Sequence, residues 1–228
     1  MTITLAACSV APKIALQPEA KASIKTIALV DVPEPETYRM VPETNAAGSV
    51  LYMFGALGGA ILGGIEASRE KKASQKFTQA VAPLEPELSG TLLSELEAGL
   101  KSKGYQVVRV PMPAKDEESG EYDVASIDGV FDAVLVATVE GGYSAASYEP
   151  QPMLLSTVQM YDRTGDKMLF SNQYVYSDTQ HGARSVHIKS ESRFVLSSLD
   201  DLYSNVAVAR DGMQAGAKAF AEHALAEL

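Results

Sequence analysis

The sequence predicts an α/β domain: a mixed sheet of about five strands with one β-α-β unit, one β-hairpin and C-terminal helices. Three observations carry this. Residues 24–32 and 131–139 are short runs that are apolar on both faces, the mark of interior strands. Residues 87–103 carry leucines at four-residue spacing between Pro86 and Gly104. Two runs, 153–162 and 168–177, flank a turn sequence.

Proline positions set the connections. The eleven prolines fall in short clusters, and none follows Pro152. Because proline breaks helix interiors and sheet ladders alike, each cluster marks a join between elements. The first strand is Ile24 to Val32. The helix over 87–103 buries Leu88, Leu92, Leu93, Leu96 and Leu100, entered at Pro86 and closed by Gly104. Tyr105 to Val110 returns as a strand and completes the β-α-β unit, and Phe131 to Val139 follows as another interior strand. Met153–Asp162 and Met168–Ser177 then form the hairpin. Its turn, Asp162-Arg163-Thr164-Gly165-Asp166, suits a type I turn followed by a left-handed glycine. In the last stretch Met213, Ala217, Phe220, Ala224 and Leu228 make one helical stripe, and Val195, Leu199, Leu202 and Val206 a second.

At 228 residues and 46% hydrophobic content, one domain with extensions is expected. We divide the chain into residues 1–23, a lipobox remnant and flexible tether, and residues 24–228, a single α/β domain with 44–82 inserted in it. The net charge of −10 argues against nucleic acid, which requires clustered Lys and Arg.

Leu5-Ala6-Ala7-Cys8 is an aliphatic residue, two small residues and the sole cysteine of the chain. This lipobox-like string resembles that of bacterial lipoproteins, in which the cysteine is acylated through sulfur. Only Met1 to Thr4 precede it, so export requires a translation start upstream of Met1, supplying the missing basic and apolar regions. The alternative is an ordinary cysteine in the tail of a cytoplasmic binding domain. With Cys8 acylated, the resemblance implies anchoring to a bacterial membrane. Ser9 in place of Asp implies delivery to the periplasmic face of the outer membrane.

The order of elements resembles the TolB amino-terminal-domain-like fold shared by envelope lipoproteins, including the curli-export family. The resemblance is carried by Ile27-Ala28-Leu29-Val30-Asp31, the helix ending in Lys103-Gly104-Tyr105, Phe131-Asp132-Ala133-Val134-Leu135 and Tyr161 to Lys167. It spans roughly residues 24–178. It implies a non-enzymatic binding or assembly module, often oligomeric, working with envelope protein partners in secretion, appendage or cell-wall machinery.

Val50 to Ile65 is uncharged and glycine-rich, with Gly55, Gly59 and Gly63 at four-residue spacing. On a helix these glycines line one groove, resembling a short glycine zipper. Five glycines in an exposed helix would cost about 4–5 kcal/mol relative to alanine, so the segment requires packing partners. Sixteen helical residues reach about 24 Å, short of a hydrocarbon core of roughly 30 Å. The contact residues expected are Phe54, Gly55, Gly59, Leu62 and Gly63. Three uses stay open: subunit or membrane contact, burial within the domain, or oligomerisation in lipid that perturbs the membrane. The charged stretch Glu66 to Val81 is a helix candidate whose chief apolar residues are Phe77 and Val81.

Catalytic and metal motifs are absent from the sequence, and no cofactor is implied. His181 and His187 share an expected polar loop, Thr179 to Ser190, without cysteines nearby, and His223 falls on the polar side of the final helix. No Gly-x-Ser-x-Gly turn or phosphate loop occurs. Asp200 and Asp201 diverge as adjacent helix positions. Tyr143, Tyr148, Tyr161, Tyr174 and Tyr176 are either an interface set or ordinary half-buried strand residues.

Overall fold

The computed structural model describes residues 13–41, 64–114, 123–146, 148–178 and 185–228. Its centre is strand β1 (Thr26–Asp31), whose Ile27, Ala28, Leu29 and Val30 have no solvent exposure. A strand buried on both faces must have a neighbour on each side and a layer above and below. β1 pairs in parallel with β3 (Gln106–Pro111) on one side and with β4 (Ala133–Ser144) on the other. Asp132 locks the start of this arrangement, its Oδ2 accepting from the main-chain N–H of Lys25 and of Thr26, each at 2.8 Å.

The sheet is mixed and seven-stranded, in the order β3-β1-β4-β5-β6-β7, with β2 attached to β4. The α/β class holds, and two strands exceed the expected number. β2 (Arg39–Val41) and β7 (Val186–Lys189) were not foreseen because three or four residues carry no readable periodicity. β2 pairs in parallel with Gly142–Ser144, on the same side of β4 that β1 occupies further down. β7 pairs in parallel with the end of β6, so part of the expected polar loop 179–190 is strand.

β4, β5 (Pro152–Asp162) and β6 (Met168–Ser177) form an antiparallel meander. The β5–β6 turn forms as its sequence requires. Gly165 takes φ 79° and donates to the Asp162 carbonyl at 3.1 Å. The Asp162 carboxylate accepts from Thr164 Oγ1 at 3.0 Å and from the Lys167 N–H at 3.3 Å.

The described part of the domain begins at Lys13, ahead of the expected start at residue 24. Ile14 and Ser171 exchange both main-chain hydrogen bonds, at 2.8 and 2.9 Å. A short helix α1 (Pro18–Ser23) follows, and Leu16 packs on the core. The tether expectation for 1–23 therefore fails over its second half. There the main chain gains more by pairing with the outer edge of β6 than by remaining solvated.

The longer helices pack on one face of the sheet. Helix α2 (Gly64–Val81) lies beside β2, where Ser74 Oγ accepts from the Met40 N–H at 2.9 Å; its Phe77 and Val81 are fully buried. Helix α3 (Leu88–Ser102) buries all five expected leucines. It ends in a Schellman motif: Gly104 at φ 94°, with the Tyr105 N–H donating to the Leu100 carbonyl at 3.2 Å. Helix α4 (Leu199–Ser204) and helix α5 (Val206–Glu227) complete the layer.

The expected stripe Met213, Ala217, Phe220, Ala224 and Leu228 is buried as read. The second stripe is not one helix. Asn205, at φ −124° and ψ 43°, separates Leu199 and Leu202 from Val206, and Val195 lies in the turn before α4. Asp201 is more than solvated surface. Its carboxylate accepts from the Ser197 N–H at 2.9 Å while its own N–H donates to Ser198 Oγ at 3.1 Å. This reciprocal cap starts α4.

The main core lies between this helical layer and the sheet, from Ile27 and Leu29 to Met213 and Phe220. A smaller cluster on the opposite face gathers Ala28, Val30, Val110, Val124, Phe131, Val134 and Val136. A third, Val41, Met153, Leu155 and Val175, lies further along the sheet.

Candidate functional site

Two places on the domain combine an unusual local arrangement with access to solvent. One is a cleft at the carboxyl end of β1, the position where open parallel sheets place their binding crevices. The chain returns from β1 through α3 to β3 on one side, and β4 lies on the other, so strand order switches at β1. The cleft measures about 460 Å³ and is lined by Val32, Glu34, Glu87, Gly90, Leu93, Ser94 and Arg109. A neighbouring groove of about 400 Å³ shares Glu34 and Glu87 and adds Glu36, Tyr38 and Glu85.

The walls follow from local chemistry. Glu34 reaches the first turn of α3, where its Oε1 accepts from the Gly90 N–H at 3.0 Å. That carboxylate occupies the place an external anion would take at the helix N-terminus. Ser89 Oγ donates to the Pro33 carbonyl at 3.0 Å, and Gln214 Nε2 of α5 donates to the Pro86 carbonyl at 2.9 Å. These bonds hold a strained turn. Glu85 (φ 47°, ψ 70°) and Glu87 (φ 48°, ψ 47°) both stand in the left-handed region on either side of Pro86. Left-handed backbone costs a residue with a Cβ about 1–2 kcal/mol.

Arg109 forms the cationic wall. Its Nε donates to Asp31 Oδ1 at 2.6 Å, and its Nη1 lies 3.7 Å from Glu97 Oε2. Both contacts are to carboxylates on neighbouring elements, so the guanidinium is largely neutralised. Tyr38 is pushed up to about 12 by burial and by the Glu34 charge. The lining therefore presents acceptors and apolar contact, and it favours a donor-bearing or cationic group over an anion.

The other place is the N-terminal junction at the outer edge of β6. Ile14 is bonded to Ser171 there, six residues after Cys8. Cys8 itself lies outside the described residues, as do Phe54, Gly55, Gly59, Leu62 and Gly63. His181 lies outside them too. His187 is on β7 with Nε2 2.9 Å from the Ser177 carbonyl, and His223 is exposed on α5. Among the described residues no group of three or more metal-ligating side chains forms, and no helix is long and apolar enough to cross a membrane.

The tyrosine set divides. Tyr143, Tyr174 and Tyr176 are core residues: Tyr143 stacks against Phe77 at 5.8 Å, and the other two lie about Phe220 at 6.5 and 6.4 Å. Only Tyr148, 81% exposed, stands as a contact residue would. Sequence reasoning missed the cleft because its residues come from three separate segments, 32–34, 87–94 and 109. The one local signal was the Glu-Pro-Glu string before α3.

No family model matches the chain, and no curated protein matches it. Among solved structures it is similar to the crystal structure of a putative neuraminyllactose-binding hemagglutinin homolog from Helicobacter pylori. That similarity is at 12% identity, covers 97% of this chain and 90% of that one, and has a TM-score of 0.34.

Proposed function

We propose that this chain is a non-enzymatic lipoprotein of the outer membrane, held at its periplasmic face by acyl chains on Cys8. It acts as an oligomeric structural or assembly component of an envelope machine. The observation that carries the reading is the lone cysteine of the chain, set in Leu5-Ala6-Ala7-Cys8. The close attachment of Ile14 to the sheet edge supports it, since a lipidated cysteine needs only a short connection to a folded body. The resemblance of the element order to TolB-like envelope modules supports an assembly role. Val50 to Ile65 is assigned to contact between copies through Gly55, Gly59 and Gly63.

The test is expression from the native locus with its upstream sequence, followed by labelled-palmitate incorporation and intact-mass measurement. Wild type is expected to take up label and to start at an acylated Cys8, and Cys8→Ser is expected to lose both. An unprocessed leading Met1 and a bare thiol overturn the reading. For the assembly role, the detergent-extracted protein is expected to sediment as an oligomer that Gly59→Leu dissociates. If Gly59→Leu leaves oligomer size unchanged but abolishes dye leakage from liposomes, the segment acts on membranes instead.

A further inference from the structure

We infer that two copies of this chain pair antiparallel along β3, the open edge of the sheet, about a two-fold axis at Val108. The inference rests on the oligomeric part of the reading above and adds where the folded domains meet.

Backbone pairing sets the first constraint. β3 ends the strand order, and among the described residues no strand lies beyond it. The Gln106 N–H donates to the Lys25 carbonyl at 2.8 Å, and the parallel register with β1 runs unbroken from Gln106 to Pro111. Successive residues of a strand direct their main-chain groups to opposite sides, so Gln106, Val108 and Val110 bond to β1. Val107 and Arg109 direct theirs outward. Such a row is a template for another strand. The other end of the sheet is closed instead: Ile14 pairs with Ser171 and β7 with Tyr174–Ser177, and β7 is only four residues long.

Side chains make the edge self-complementary. Val108 is 48% exposed, and unlike the exposed Val130 and Tyr148 it belongs to a strand of the sheet. Between Gln106 and Val110 no proline, bulge or lysine blunts the edge, and Pro111 stops it only at its end. With the axis at Val108, Val107 exchanges both main-chain bonds with the partner's Arg109, and Val108 packs on its own counterpart. Arg109 brings no repulsion, because Asp31 and Glu97 already hold its guanidinium.

Charge fixes the direction. Lys25 and Lys103 stand exposed at the start of β3, whereas Asp31, Glu34 and Glu87 stand exposed at its finish. Glu97 lies between the two ends, shared by Lys101 and Arg109. Asp132 is on the β4 side of β1, away from the edge, with its carboxylate on the Lys25 and Thr26 amides. Antiparallel pairing sets the basic end of each copy against the acidic end of the other, and parallel pairing would set like against like. That match lets a chain of net charge −10 meet itself.

The experiment uses the full chain extracted in detergent. Paired residues at such an axis lie about 4.5 Å apart at Cα, a span that a disulfide bridges. Val108→Cys is therefore expected to cross-link to a dimer on mild oxidation. Val130→Cys, 87% exposed but outside β3, and wild type with Cys8 alone are expected to stay uncross-linked. Val108→Lys sets two ammonium groups together at the axis and is expected to weaken dimerisation about tenfold in sedimentation. Lys103→Glu is expected to weaken it several-fold, and unchanged or tighter association overturns the antiparallel match. Absent cross-linking at 108, or equal cross-linking at 130, overturns the interface. In the Gly59→Leu background a dimer that still cross-links at 108 supports β3 as a contact separate from the glycine segment. An oligomer that forms without cross-linking at 108 refutes this interface and leaves the oligomeric reading standing, whereas a monomer at every concentration refutes both.

Discussion

The hydroxyl of Tyr143 donates to the main-chain carbonyl of Phe194 at 3.1 Å, a buried bond that ties β4 to the turn ahead of α4. Tyr143 is itself fully buried, so neither partner can turn to water. Tyr143→Phe keeps the ring and its stacking on Phe77 but orphans the carbonyl. An unsatisfied buried acceptor costs about 1–3 kcal/mol. Urea denaturation is expected to show a fall of that size with an unchanged slope, because the surface exposed on unfolding stays the same.

The same contact region makes Gly212 irreplaceable. A methyl group there would lie 2.6 Å from the Tyr143 oxygen and 3.0 Å from both Phe194 Cβ and Pro152 Cγ. These atoms belong to a packed core that cannot retreat. Gly212→Ala is expected to destabilise by about 1–3 kcal/mol, as overpacking does. Gly90→Ala on α3 is the control. Its new methyl would meet nothing nearer than 3.7 Å, and it is expected to be neutral or stabilising by up to about 1 kcal/mol. Parallel thermal melts of the two variants check both signs.

How far the sequence reveals this molecule depends on the range over which each signal acts. Elements defined by local periodicity were legible: β1, α3 and the β5–β6 hairpin fall within two residues of their expected spans, whereas β4 runs on past its expected end at Val139 to Ser144. Gly104 and Gly165 end α3 and the hairpin turn in the left-handed backbone their positions require. Elements defined by pairing were not legible. β2 exists because Arg39–Val41 meets Gly142–Ser144 across a hundred residues, and β7 because it meets the end of β6. Glycine spacing was informative in a place not expected. Gly212 and Gly216 on α5 show the four-residue interval, and the structure uses it within the chain, letting the helix close on Tyr143, Leu154 and Tyr176. The acidic cleft was invisible because Glu34, Glu87 and Arg109 converge only after the β-α-β unit folds.

Glu140 lies on β4 near Arg39, and burial raises its carboxyl above the usual range, with the Arg39 charge offsetting only part of that. Because its folded pKa exceeds the unfolded value, the folded state holds the proton more tightly. Stability is therefore lost as pH rises through the folded pKa. Glu140→Gln removes this cost, and Arg39 keeps its 2.6 Å pair with Glu70. The variant is expected to melt above wild type at pH 7.5, with the gain vanishing below about pH 4, where the carboxyl is protonated in both states. Thermal melts across that range check it. A gain that persists in acid assigns the effect to packing.

Asp132 titrates with the opposite sign. The N–H groups of Thr26 and Lys25 hold its carboxyl below the ordinary aspartate value, because both bonds are stronger to the ionised form. With the folded pKa depressed, the stabilisation is complete above about pH 5, where the unfolded group is also ionised. It disappears as pH falls through the folded value. Asp132→Ala is expected to lower the urea midpoint at neutral pH and to converge with wild type in strong acid. The damage should also be local, because the two amides begin the central strand. Hydrogen exchange is expected to speed at Lys25 and Thr26 well before it speeds in the β5–β6 hairpin. Uniform acceleration across the sheet instead would mean that this carboxylate holds the whole domain together and not only the entry into β1.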